Sequence, residues 1–197
     1  TRGTKAMALG AATATRGGGC HLRSRFTMEE MDLPPEATKK IIGRPVVSDP
    51  DSYEGKAYPA IWTENLCAVG DALGICRFVT KWLSPGLLGF NEFVEAVSAV
   101  TGYEFTPEKL MEVGERIYNL ERLFLIREGL DRKDDRVPER FHEPWQYGFQ
   151  KGSRIEKEKF EALLDEYYRE HGWDAEGIPT RETLERLELV DEHSHLL

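Results

Sequence analysis

The chain has 197 residues, 40% of them apolar and 31% charged in mixed sign. That is enough for one sizeable domain or two small ones with a real core, and it argues against disorder. A net charge of −9 with a pI near 5.2 speaks against nucleic-acid binding, which needs a basic face. No run approaches the roughly 18–20 apolar residues of a membrane span, so no membrane partner is expected.

The cysteines are Cys20, Cys67 and Cys76. Their number is odd and no pair has CxxC spacing, so neither a disulfide framework nor a self-contained metal site is expected. One cysteine can still complete a site whose other ligands lie elsewhere. No secretory h-region opens the chain, and an Arg-rich, acid-poor start leaves a mitochondrial presequence as the weaker alternative to a cytoplasmic location. The first residue is Thr, which leads to the expectation that the chain begins inside a longer protein.

In chain order, Lys5 to Thr15 is Ala- and Met-rich and favours helix. Gly17, Gly18 and Gly19 then break it, with no strand–turn–helix context that would make them a phosphate loop. Thr27 to Met31 reads as a short helix with a capping box to Glu30. Pro34, Pro35, Pro45 and Pro50, with Gly43, predict an irregular connection.

Tyr58 to Leu73 predicts a helix, with Ile61, Asn65, Ala68, Val69 and Ala72 at helical spacing and Gly74 as its stop. Asp71 then falls in the last turn, where the helix dipole disfavours a carboxylate. Asn91 to Val100 is amphipathic, with Phe93, Val94, Val97 and Val100 on one face and Gly102 at its end. Thr106, Pro107 and Glu108 start a long helix along Leu110, Val113, Ile117, Leu120 and Phe124, up to Gly129. Glu156 to His171 carries Phe160, Leu163, Leu164 and Tyr167 inward, and Thr180 caps a short last helix. With hardly any alternating pattern, the fold class is all-α, an irregular helical array.

The order and spacing of four stretches carry a resemblance: "ATATRGGGCHLRSR" (12–25), "ENLCAVGDALGICRF" (64–78), "AVTGYEFTPEKLMEVGERIYNLERLFLIREGLDRKDDRVPERF" (99–141) and "LLDEYYREHGWDAEGIPTRETLERL" (163–187). The chain resembles the helical C-terminal part of the tungsten-containing aldehyde ferredoxin oxidoreductases over nearly its whole length, 1–197. The resemblance implies that the β-rich N-terminal domain and three further cysteines of such enzymes lie upstream. It also implies a cytoplasmic enzyme that oxidises small aldehydes to carboxylic acids and passes electrons to ferredoxin. Its cofactors would be a tungsten (or molybdenum) bis-pterin and a 4Fe-4S cluster.

In that family the motif Asp-x-x-Gly-Leu-Cys places a pterin-binding Asp beside a cluster-ligating Cys. Here the motif is Asp71, Gly74, Ile75 and Cys76, with Ile in place of Leu, a volume-conserving change. The resemblance thus makes Asp71 the pterin anchor, Gly74 the close turn, Ile75 its neighbour and Cys76 the cluster ligand. His21 matches a family histidine near the metal and is the candidate proton-transfer residue. The residue types suit these roles, since a carboxylate accepts paired N–H donors and a thiolate is the usual iron ligand.

Plainer readings stand beside these. Asp71 could be a surface acid paired with Arg77 or Lys81, Cys76 a structural thiol, and His21 a loop residue bonded to backbone. Cys20 and Cys67 read as small core residues, and Tyr118, Phe124, Tyr167, Tyr168 and Trp173 as core aromatics. Alternative functions are a related tungsten enzyme, such as an aryl-CoA reductase or a glyceraldehyde-3-phosphate oxidoreductase, and a non-catalytic helical interaction module. The remainder of the same enzyme is an expected partner, and a homodimer is an allowed assembly.

Overall fold

The computed structural model describes residues 2–17, 20 and 22–190. Seven α-helices account for the architecture among the described residues: α1 (Lys5–Ala12), α2 (Pro35–Ile42), α3 (Ala57–Ala72), α4 (Phe90–Thr101), α5 (Pro107–Arg127), α6 (Lys157–His171) and α7 (Arg181–Arg186). Short 3₁₀ turns and two isolated β-bridges join them, and no sheet forms among these residues. The all-α expectation holds.

Local chemistry explains the boundaries. Thr106 Oγ1 accepts from the Lys109 N–H at 3.2 Å with Pro107 at the first helical position, which satisfies one orphan amide and presets φ. Glu92 accepts from the Gly89 N–H at 2.6 Å at the start of α4. Residues 35–42 form a helix where the prolines predict irregularity. Pro35 sits in its first turn and Gly43 ends it in the left-handed region, so the prolines punctuate the helix rather than exclude it.

Helix α3 is the axis of the fold. Residues 57–70 are buried on every side except at Tyr58, so the helix lacks the single apolar stripe that periodicity suggests. One core joins α1, α3 and α6 through Leu9, Ile61, Leu164 and Tyr167, and a second joins α3 to α2, α4 and α5 through Leu66, Val69, Ile42, Phe93 and Leu110. Helix α5 crosses α3 very closely at Gly114, where a Cβ would lie 2.7 Å from the Asn65 carbonyl oxygen. Consequently the buried face of α5 runs through Leu110, Gly114, Tyr118, Arg122 and Leu123. It is rotated away from the expected line, and Leu120 and Phe124 are exposed.

Candidate cofactor-binding edge

The C-terminal end of α3 closes by hydrogen bonds that its sequence dictates. Gly74 adopts φ +69°, which only glycine does at low cost. The Ile75 N–H then donates to the Gly70 carbonyl at 2.8 Å, and the Gly74 N–H to the Asp71 carbonyl at 3.1 Å. This paired pattern is a Schellman closure. It turns the chain sharply and leaves Ile75 half-buried against the second core. Cys76 follows in extended conformation, with its thiol side exposed, at the start of the 3₁₀ turn Arg77–Val79.

The same turn fixes Asp71. Arg23 Nη1 donates to Asp71 Oδ2 at 3.0 Å, and Arg77 Nη2 donates to that same oxygen. Two guanidinium groups thus offset the unfavourable dipole end. Asp71 Oδ1 has no hydrogen-bond partner among the described residues, and the side chain is 40% exposed. The plainer reading of Asp71 named Arg77 correctly as a partner. Lys81 turns away and pairs with Glu92 at 3.1 Å.

Arg23 is itself held fast. Its side chain is 4% exposed, and its Nε donates to Thr15 Oγ1 and to Glu121 Oε2, each at 3.1 Å. Its Nη2 donates to Glu121 Oε1. Thr15 Oγ1 adds a 2.5 Å bond to Glu121. One guanidinium therefore ties the segment after α1, the middle of α5 and the end of α3 together. Neither Arg23 nor Glu121 stands out in the sequence, because the contacts span 48 and 98 positions and belong to no local motif.

The other cysteines are placed differently. Cys67 is buried within α3, and burial pushes its thiol up to about 12, so it stays protonated and unreactive. Cys20 is partly buried. His21 lies outside the described residues. Among those described, no group of three or more His, Cys, Asp or Glu side chains gathers in a way that could hold a metal ion. Cys76 is flanked by exposed Leu73, Phe78 and Val79.

A second acid, Glu64, sits two turns earlier on α3 in a closed environment. Tyr167 donates to both of its carboxylate oxygens at 3.0 Å, His171 Nε2 lies 3.1 Å from Oε2, and Thr13 Oγ1 is 3.5 Å from Oε1. The ring of His171 stacks on Trp173 at 4.4 Å and on Tyr118 at 5.5 Å. Burial pushes the Glu64 carboxyl above its ordinary 4.5, against the lowering pull of His171 and Tyr167. Tyr118, Tyr167, Tyr168 and Trp173 are core aromatics as expected, whereas Phe124 is not.

Comparison with known proteins places the chain in a family. Residues 1–189 match the family model described as aldehyde ferredoxin oxidoreductase, domains 2 and 3. The chain belongs to the aldehyde ferredoxin oxidoreductase family. It is 35% identical over 193 residues to the tungsten-containing aldehyde ferredoxin oxidoreductases of Pyrococcus furiosus and Thermococcus kodakarensis, covering 96% of this chain and 29% of each relative. The chain therefore spans less than a third of the length of these relatives. It is also 42% identical over 123 residues to a P. furiosus aliphatic sulfonate oxidoreductase, WOR-like subunit, covering 59% of this chain and 19% of that one. Among solved structures it is similar to the active-site complex BamBC of benzoyl-coenzyme A reductase with 1,5-dienoyl-CoA. That match has a TM-score of 0.60 and 30% identity, and covers 73% of this chain and 21% of the other. The relatives' names mark the family as oxidoreductases, several of them tungsten-containing.

Proposed function

We propose that this chain is the helical portion of an enzyme that oxidises small aldehydes to carboxylic acids, with ferredoxin as electron acceptor. The observation that carries the reading is the Asp71–Cys76 edge. One helix stop presents a carboxylate oxygen without a partner among the described residues and, five residues on, an exposed thiol. That donor set suits the two groups the family resemblance implies. Asp71 would accept from the N–H edge of a pterin, and Cys76 would supply one thiolate to a 4Fe-4S cluster. When bound, a tungsten bis-pterin supplies the two-electron oxidation and the cluster relays the electrons singly.

The chain's own contribution is rigidity and spacing. Gly74 and Ile75 shape the turn that holds Asp71 and Cys76 in one short piece of backbone. His21 is the candidate for moving a proton at the substrate oxygen through an imidazole nitrogen. The rest of the enzyme would cover the apolar edge at Leu73, Phe78 and Val79, since contiguous exposed apolar surface marks a contact site.

In the complete enzyme, Cys76→Ala tests the ligand role by iron content and the cluster's EPR signal. The expected result is loss of the signal with a fall in iron. Unchanged iron overturns the reading. A second reading, reductive chemistry on an aryl-CoA thioester, is supported by the benzoyl-CoA reductase likeness. Turnover of small aldehydes but not of benzoyl-CoA separates the two.

A further inference from the structure

We propose that Arg23 and Arg77 are positioning residues that set the rotation of Asp71 and thereby select the single oxygen it offers to the pterin. The proposal rests on the reading of Asp71 as pterin anchor and deepens it. Both arginines donate to Oδ2, and neither donates to Oδ1. A carboxylate held by one guanidinium at one oxygen can still swing about its χ2 angle, which is a broad torsion. Two donors arriving at the same oxygen from different parts of the chain remove that freedom. Oδ1 is left without a hydrogen-bond partner among the described residues, on a side chain that is 40% exposed.

The supports behind the clamp make it stiff. Arg23 is pinned by Glu121 through Nε and Nη2 and by Thr15 through Nε, so its Nη1 has one direction left to point. Its fork geometry uses three nitrogens toward three side chains, which an ammonium cannot reproduce. Arg77 is 9% exposed and follows Cys76 directly, so the cluster-side residue and the pterin-side residue share one strap. The charges also balance locally, with Arg23 and Arg77 against Asp71 and Glu121. Asp71 therefore needs no further cation, and its free oxygen remains available for N–H donors on a ligand. Partners of this kind that orient a ligating group typically alter affinity by about 10–100-fold when removed.

The test uses the complete holoenzyme with Arg77→Gln, Arg77→Lys and Arg23→Lys, and Asp71→Ala as reference. Pterin and tungsten per protein are measured after dialysis, with iron content and thermal midpoint on the same samples. Asp71→Ala should lose pterin. Arg77→Gln should lose pterin about 10–100-fold more readily than wild type while keeping its iron. Arg77→Lys should recover part of that loss, because it restores a cationic donor to Oδ2. Arg23→Lys should lose pterin much as Arg77→Gln does, because an ammonium lacks the fork. A merely structural role predicts a lower midpoint with wild-type pterin retention in the folded fraction. That result overturns the clamp. Pterin loss in Asp71→Ala together with wild-type retention in Arg77→Gln and Arg23→Lys overturns the clamp alone. Wild-type retention in Asp71→Ala overturns the anchor reading beneath it. Should Arg77→Gln fail to fold, Arg23→Lys decides, since wild-type retention there also overturns the proposal.

Discussion

Helix α3 carries two acids seven residues apart, and their surroundings could hardly differ more. Glu64 is fully buried, and both of its oxygens are used by Tyr167, His171 and Thr13. Asp71 is half-exposed, with one oxygen clamped by two arginines and the other free of partners among the described residues. A closed network of this kind stabilises a core and has no acceptor to spare. A clamped but open carboxylate keeps an acceptor to offer, as the proposed pterin contact requires. The comparison separates a closed acid from an open one on a single helix, by counting which lone pairs remain among the described residues.

The largest expected effect lies at the closed site. Glu64→Ala removes the acceptor of Tyr167, His171 and Thr13 at once and should cost roughly 3–5 kcal/mol, as when one member of a buried pair is deleted. A lowered midpoint in denaturant at an unchanged m-value checks this. Iron retained per folded protein should stay at the wild-type level. A Glu64→Ala protein of wild-type stability would remove the distinction between the two acids.

Two glycines sharpen the comparison at an intermediate scale. Gly114→Ala drives a Cβ to 2.7 Å from the Asn65 carbonyl oxygen, an overpacking worth about 1–3 kcal/mol. Gly74→Ala meets nothing within 4 Å but must hold φ +69°, at about 1–2 kcal/mol. The energies are similar and the consequences differ. Gly114→Ala should lower stability without lowering iron content of the folded enzyme. Gly74→Ala should lower both, because the turn it strains carries Cys76. Equal iron content in the two variants counts against the Asp71–Cys76 edge as a cofactor site.

Legibility in the sequence divides along the same line. Caps at Thr106, Thr180 and Gly74 are local, and the helices they bound were readable because propensity and geometry agree there. The burial of α3 on all sides was not readable as a stripe, since a helix at the centre of a fold has no solvent face. The rotated face of α5 follows from Gly114, whose importance lies in a crossing partner distant in the chain. Helix α2 was hidden because prolines mark a helix start as readily as a loop. Asp71, Gly74, Ile75 and Cys76 could be picked out only as a motif. Arg77 was legible as a neighbouring partner of Asp71, whereas Arg23 and the Glu121 that holds it come from other elements and leave no local trace.

The smallest effect is a pH dependence that separates ionisation from hydrogen bonding at Glu64. Burial holds its carboxyl above the ordinary 4.5 in the folded chain. For a carboxyl raised in this way, the stability it contributes is fully present below the unfolded value and is lost as pH rises through the folded value. Glu64→Gln keeps the shape and one acceptor but cannot ionise. It loses part of the network at every pH, and that loss is constant. Superimposed on it, wild type should lose ground to the variant as pH rises from about 4.5 toward neutrality, whereas the many surface carboxylates cancel between the two proteins. Denaturation midpoints of both proteins across that window read the difference directly. A gap that narrows with rising pH shows that the charge on Glu64 is tolerated rather than favoured. A gap that widens would mean that His171 and Tyr167 outweigh desolvation and that the network is built for the ionised acid.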